Sequence, residues 1–170
     1  MIGRPARNET GEYYFRYIDR IVDDDIVRVL ETQRHEIPLW LRQVSEEQSR
    51  HRYAPDKWSM REVLGHINDT ERLFLARAFW FARNFDTQLP SFDQEVCLAA
   101  SNADEISWQS HIEEFEAIRL STILFFRHLP EEAWMRSGIA SDNPFTVRSL
   151  AYLAAGHALH HLAILQERYL

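Results

Sequence analysis

Four long stretches of this chain carry apolar residues at helical spacing, and nowhere does a long run alternate as a half-buried strand would. In 170 residues that pattern favours one arrangement, helices packed on one another around a single core. The first helix is predicted from about Asp25 to Val44, where Ile26, Val29, Leu30, Ile37, Leu41 and Val44 recur on one face. Asp23 to Asp25 put negative charge at its start, which suits the helix dipole. Pro38 lies inside it, removes one backbone donor and is expected to kink it. Ser59, followed three residues later by Glu62, is a capping box and starts a second helix that runs to about Asn84. The third helix spans about Ala103 to His128 and stops before Pro130; the fourth begins near Thr146 and runs to the C-terminus.

Between them, Ser45 to Lys57 reads as a polar loop. Phe85 to Asn102 reads as a connection with one helical turn around Cys97, and Glu131 to Pro144 as a loop. The expected fold is therefore all-α, a four-helix bundle with long connections over residues 25–170. It is preceded by an N-terminal tail, residues 1–24, with little to bury. Tyr13, Tyr14, Phe15 and Tyr17 in that tail are apolar enough to pack on a neighbour, and they predict a homodimer.

Charge narrows the function. Acidic residues outnumber basic ones 26 to 19, a net charge of −7, whereas affinity for nucleic acid comes from Lys and Arg. A single cysteine, Cys97, excludes an intrachain disulfide framework and fits a reducing compartment. The N-terminus has no apolar signal region, and no run approaches the ~18 apolar residues of a membrane span. The expectation is a cytoplasmic protein with a small-molecule partner and with neither nucleic acid nor membrane as partner. Glycine-rich phosphate loops, GxSxG and CxxC are all missing from the sequence.

The histidines carry the chemistry. His35, His51, His111 and His128 have charged or polar neighbours and read as surface residues. His157 and His161 are four apart in an otherwise apolar segment, so they share one helix face that should point into the bundle. Two imidazoles at that spacing can close on one metal ion, although the spacing alone is common by chance. His160 points about 100° away and reads as a packing or interface residue. On the second helix, His66 is a third candidate. Gly65 and Gly156 each stand directly before a candidate ligand, which predicts a close helix approach that brings His66 towards His157 and His161. Asp69 and Thr70 lie one turn from His66. Asp69 is placed either to accept an imidazole proton from outside the ligand shell or to pair with Arg72. Glu71 is expected on the surface, and would serve as a general base only if it turned inward. The residues alone leave two readings open: a three-histidine metal site, or three core histidines hydrogen-bonded to carboxylates and backbone.

Tyr53-Ala54-Pro55-Asp56-Lys57-Trp58-Ser59-Met60-Arg61-Glu62-Val63-Leu64-Gly65-His66-Ile67-Asn68-Asp69-Thr70-Glu71-Arg72 resembles the second-helix signature of the DinB-like superfamily of four-helix metalloproteins. Gly156-His157-Ala158-Leu159-His160-His161 is similar to the HxxxH of that family's last helix. The resemblance implies a divalent metal held by His66, His157 and His161. It also implies a homodimer, as in many members, and chemistry of the kind seen in thiol-dependent members such as bacillithiol S-transferases and mycothiol-dependent isomerases, or in members described as metal-dependent hydrolases. A low-molecular-weight thiol is then an expected cosubstrate. Position 163, two after His161, is Ala, where the sulfoxide-synthase branch carries Glu; this argues against an iron-oxygenase role.

Imidazole ligands suit Zn²⁺, Ni²⁺, Co²⁺ or Fe²⁺, with zinc or nickel favoured. Two functions remain: a metal-dependent enzyme of thiol S-transferase or hydrolase type, or a non-catalytic, metal-stabilised dimeric module for binding or stress response. The sequence assigns no catalytic acid or base. An accessible cavity beside the histidines would favour the enzyme, and a closed site the structural role.

Overall fold

A computed structural model of the chain describes residues 2–169; Met1 and Leu170, the outer ends of the expected tail and bundle, lie outside the described residues. The helices are α1 (Phe15–Ile18), α2 (Ile26–Leu41), α3 (Met60–Ala82), α4 (Gln94–Ser101), α5 (Trp108–Arg127) and α6 (Val147–Arg168), with a hairpin of β1 (Ser137–Ala140) and β2 (Asn143–Thr146) before the last. The four long helices are the four expected from periodicity.

Their ends follow the local chemistry. The Ser59 hydroxyl accepts from the Glu62 amide at 3.1 Å, while the Glu62 carboxylate accepts from the Ser59 amide at 2.7 Å. Asp25, Ser107 and Thr146 cap α2, α5 and α6 in the same sense. Past the end of α3, Asn84 takes φ 60°, the left-handed conformation in which helices commonly stop.

α3 packs against α5 and α6, and α2 packs against the same two. Sequence-adjacent α2 and α3 therefore face each other across the bundle's diagonal, as do α5 and α6. Short loops join antiparallel neighbours, so a diagonal order needs long connections; residues 42–59 and 128–146 supply them.

The core divides into two apolar halves. One holds Leu30, Phe74, Phe81, Phe126 and Leu150, and the other Leu41, Val63, Ile67, Phe115 and Leu165. Between them each long helix contributes polar side chains. Gln33 comes from α2, His66 and Glu71 from α3, Arg119 from α5 and His157 from α6, all buried. Burying polar groups is tolerable only when they are partnered, so this layer is where the fold must have specific chemistry.

Two connections differ from the sequence reading. Residues 137–146 form a hairpin rather than a loop, with Ala140 opposite Asn143 and a two-residue turn at Ser141 and Asp142, both at positive φ. Strands of four residues are too short to show alternation, and Ser-Asp lacks the Asn-Gly signature of such turns. Likewise Gln94–Ser101 forms two helical turns, capped by Asp93, where one was expected. The described part of the first 24 residues, read as a tail with little to bury, lies against the bundle. Phe15, Ile18 and Ile21 are buried in the first apolar half. The buried Glu9 carboxylate accepts from Thr146 Oγ1 at 2.7 Å and pairs with Arg148.

Candidate metal centre

The packing of α3 on α6 brings His66, His157 and His161 together. His157 Nε2 lies 3.1 Å from His66 Nε2 and 3.1 Å from His161 Nε2. All three donor atoms fall within 4.8 Å of one another. His157 and His161 meet because i and i+4 share a helix face. His66 meets them because the apolar residues around it on α3, Val63, Leu64 and Ile67, seat that stripe in the core.

The surroundings keep the rings neutral. Trp58 lies over His66 with ring centroids 5.0 Å apart, and Tyr17 and Phe74 flank His157 at 5.3 Å and 5.9 Å. Burial lowers the pKa of His66 to about 4 and that of His161 to about 3. His157 is pushed well below its ordinary value by burial and then by its neighbours His161, His66 and His160. Thr70 Oγ1 lies 3.4 Å from His66 Nδ1, close enough to hold the ring with its Nε2 lone pair turned to the cluster.

Three neutral nitrogens facing one another at this spacing cannot all be satisfied by hydrogen bonds, because His157 Nε2 carries at most one proton or one lone pair for two partners. A cation accepts all three lone pairs at once. Zinc–imidazole bonds of about 2.0–2.1 Å put ligand nitrogens about 2.9 Å apart at right angles and about 3.3 Å apart in a tetrahedron. The two distances of 3.1 Å from His157 fall between these values and all three donor atoms lie within 4.8 Å of one another, so the donor set fits a divalent ion. The three-core-histidine alternative asked for carboxylate and backbone partners; at the three Nε2 atoms the partners are one another.

Other sequence-picked residues take different places. Asp69 does not reach the cluster; it pairs with Arg72 and accepts from Cys97 Sγ at 3.4 Å. Glu71, expected outside, is buried, yet it is held in a bidentate pair by Arg119 at 2.7–3.1 Å and is not free to act as a base. His111, expected on the surface, is 1% exposed, and its Nε2 donates to the Ala103 carbonyl at 2.9 Å. His160 packs beside Tyr17, with centroids 5.1 Å apart, as its off-face position implied. Gly65 and Gly156 do not mark one helix crossing. A Cβ on Gly156 would come within 2.2 Å of the Tyr17 carbonyl oxygen, whereas one on Gly65 would meet Ala103 and His111 at 3.4–3.5 Å.

Sequence reasoning missed the polar tie beside the histidines. Arg119 bonds Glu71, Gln33 Oε1 and the Ala154 carbonyl, and Gln33 Nε2 donates to the Ala155 carbonyl at 3.2 Å. One buried network thus links α2, α3, α5 and α6. Its trace in the sequence was an arginine inside the apolar stripe Phe115, Ile118, Ile123 and Phe126.

A cleft of about 240 Å³ opens on one flank of the cluster, lined among others by Tyr14, Tyr17, His66, Thr70, Arg77 and His157. Among the described residues none of its lining groups is a carboxylate. Burial raises the pKa values of Tyr14 and Tyr17, which keeps both as hydroxyl donors.

A family model described as the DinB superfamily matches residues 29–165. No curated protein matches the chain. Among solved structures, YfiT from Bacillus subtilis, described as a probable metal-dependent hydrolase with an unusual four-helix bundle topology, superposes with a TM-score of 0.72 at 18% identity. The alignment covers 96% of this chain and 89% of that one.

Proposed function

The chain belongs to the DinB superfamily, and from that premise we propose that it is a divalent-metal-dependent enzyme acting on a small molecule, with His66, His157 and His161 as the metal ligands. The observation that carries this reading is the cleft on the flank of His66 and His157; a purely structural site would be closed on all sides. A divalent ion bound there supplies Lewis acidity and open positions for substrate and nucleophile. The chain's own part is to hold three neutral donors among Tyr17, Trp58 and Phe74, to fix His66 through Thr70, and to present the Tyr14 and Tyr17 hydroxyls to the bound molecule.

Hydrolysis is supported by the description of YfiT as a probable metal-dependent hydrolase. Thiol transfer has a separate support. With no carboxylate lining the cleft, the protein brings no obvious general base for water, whereas a thiol with a pKa near 8.5 delivers its nucleophile with less help. A homodimer is proposed as the working form. Its support is an exposed apolar stripe on α5, Ala117, Leu120 and Leu124, because Tyr14, Phe15 and Tyr17 are largely spent within their own chain.

The test loads the protein with Zn²⁺ or Ni²⁺ and screens ester and amide hydrolysis beside thiol addition to electrophiles. Turnover that needs metal and disappears in His157→Ala is expected. Metal bound at full stoichiometry with no turnover of either kind would favour the non-catalytic module.

A further inference from the structure

Among the described residues three arginines are buried, and two have a carboxylate. Arg61 pairs with Glu46 and Arg119 with Glu71. The third, Arg77, is 3% exposed and, among the described residues, has no acidic partner. Its Nη2 donates to the Pro90 carbonyl at 3.1 Å and to Ser141 Oγ at 2.7 Å. Its Nε is buried without a partner, and Nη1 makes no hydrogen bond among the described residues. Two neutral oxygens, with the Phe145 ring 5.7 Å from the guanidinium carbon, are a poor return for a desolvated guanidinium, because none of them is the counter-charge that a buried cation needs. Burial indeed works against its charged form.

Arg77 lies on the wall of the same cleft as His66 and His157. His66, Thr70, Phe74 and Arg77 form one stripe along α3. Eleven residues separate the first from the last, about 16 Å along the axis, and helical side chains lean back towards the N-terminus. The cleft is therefore polar and cationic at the Arg77 end, donor-rich at the histidine end, and free of acidic groups between.

We propose that Arg77 is the anchor for an oxyanion on the substrate, so that the molecule entering this cleft carries a carboxylate or a phosphate at one end and its reacting group at the histidine end. This rests on the reading of the cleft as the substrate site. Guanidinium pairs with either anion through charge-assisted hydrogen bonds. Ser141, in the hairpin turn, and Pro90 hold the guanidinium in place, which gives the hairpin a part in the site.

Metal-free wild-type protein is titrated calorimetrically with succinate and, separately, with inorganic phosphate, alongside Arg77→Gln and with succinamide as the uncharged control. Saturable binding of one anion, absent for succinamide and weakened about tenfold or more in Arg77→Gln, is expected. Succinate binding alone identifies a carboxylate, and phosphate binding alone a phosphate ester. Binding of neither, or binding unchanged in Arg77→Gln, overturns the proposal. Should Arg77→Gln fail to fold, crystals of the wild type soaked in selenate decide: anomalous density within hydrogen-bond distance of Arg77 supports the anchor, and its absence overturns it. Because the titration needs no metal, loss of metal binding in His157→Ala is scored separately.

Discussion

The residue scale separates two glycines that looked alike in the sequence. Both precede a histidine and both sit inside a helix, where glycine is disfavoured by about 1 kcal/mol relative to Ala. Gly156 is held by a backbone contact, because the Tyr17 carbonyl occupies the place a methyl would need. Gly65 has ordinary van der Waals room. Gly65→Ala should therefore raise stability by about 0.5–1 kcal/mol. Gly156→Ala should lower it by about 1–3 kcal/mol through overpacking, and should displace Tyr17 from the cleft. Urea denaturation of the two variants checks both signs. The meeting of the three histidine side chains was legible from spacing, apolar context and family signature together. The contacts of the glycines were not, because Tyr17 belongs to a segment whose path over α6 has no local signal.

Among the elements, the long helices were written plainly in periodicity and caps, while the pairing of their buried charges was not. Glu71 and Arg119 are 48 residues apart, and nothing local to either names the other. Their pair closes a network through Gln33 onto the backbone of α6 beside His157. Glu71→Met leaves Arg119 buried without a counter-charge and should cost about 3–5 kcal/mol, as should Arg119→Met. The double variant should be more stable than either single one, because neither charge is then stranded. Equilibrium denaturation of all three proteins tests the coupling; additive losses would show that the two side chains act independently. The hairpin escaped for another reason. Its strands are short, Pro144 lies in one of them, and only the positive φ at Ser141 and Asp142 reveals the turn.

For the whole molecule, the bundle with long connections was legible, but the diagonal order of its helices was not, since helical periodicity shows which face is buried and not against which neighbour. The polar layer between the two apolar halves makes stability depend on pH. His66 and His161 have folded pKa values of about 4 and about 3, against about 6.5 in the unfolded chain. Above about pH 6.5 both states are neutral and the stability is fully present. As pH falls below 6.5 the unfolded chain binds protons that the folded one refuses, so stability is lost progressively towards pH 4. Bound metal adds stability over this range without changing the slope, because the folded ligands are already unprotonated, and the addition fails only as pH falls through their folded values of about 4 and about 3. Melting temperatures between pH 7.5 and 4.5, with and without Zn²⁺, measure this: the Zn²⁺ curve should lie above the other and fall in parallel with it, and curves that coincide would remove the metal from the explanation.

Metal content per chain is the most direct test of the three-histidine centre. Wild-type protein is stripped with chelator, reconstituted with Zn²⁺ or Ni²⁺, desalted and analysed by plasma mass spectrometry beside His66→Ala, His157→Ala and His161→Ala, with helicity followed by circular dichroism. One ion per wild-type chain, and its loss in each variant with helicity retained, is the expected result, since two remaining imidazoles hold a divalent ion poorly. Stoichiometric metal in the folded variants, or none in the wild type, would contradict it.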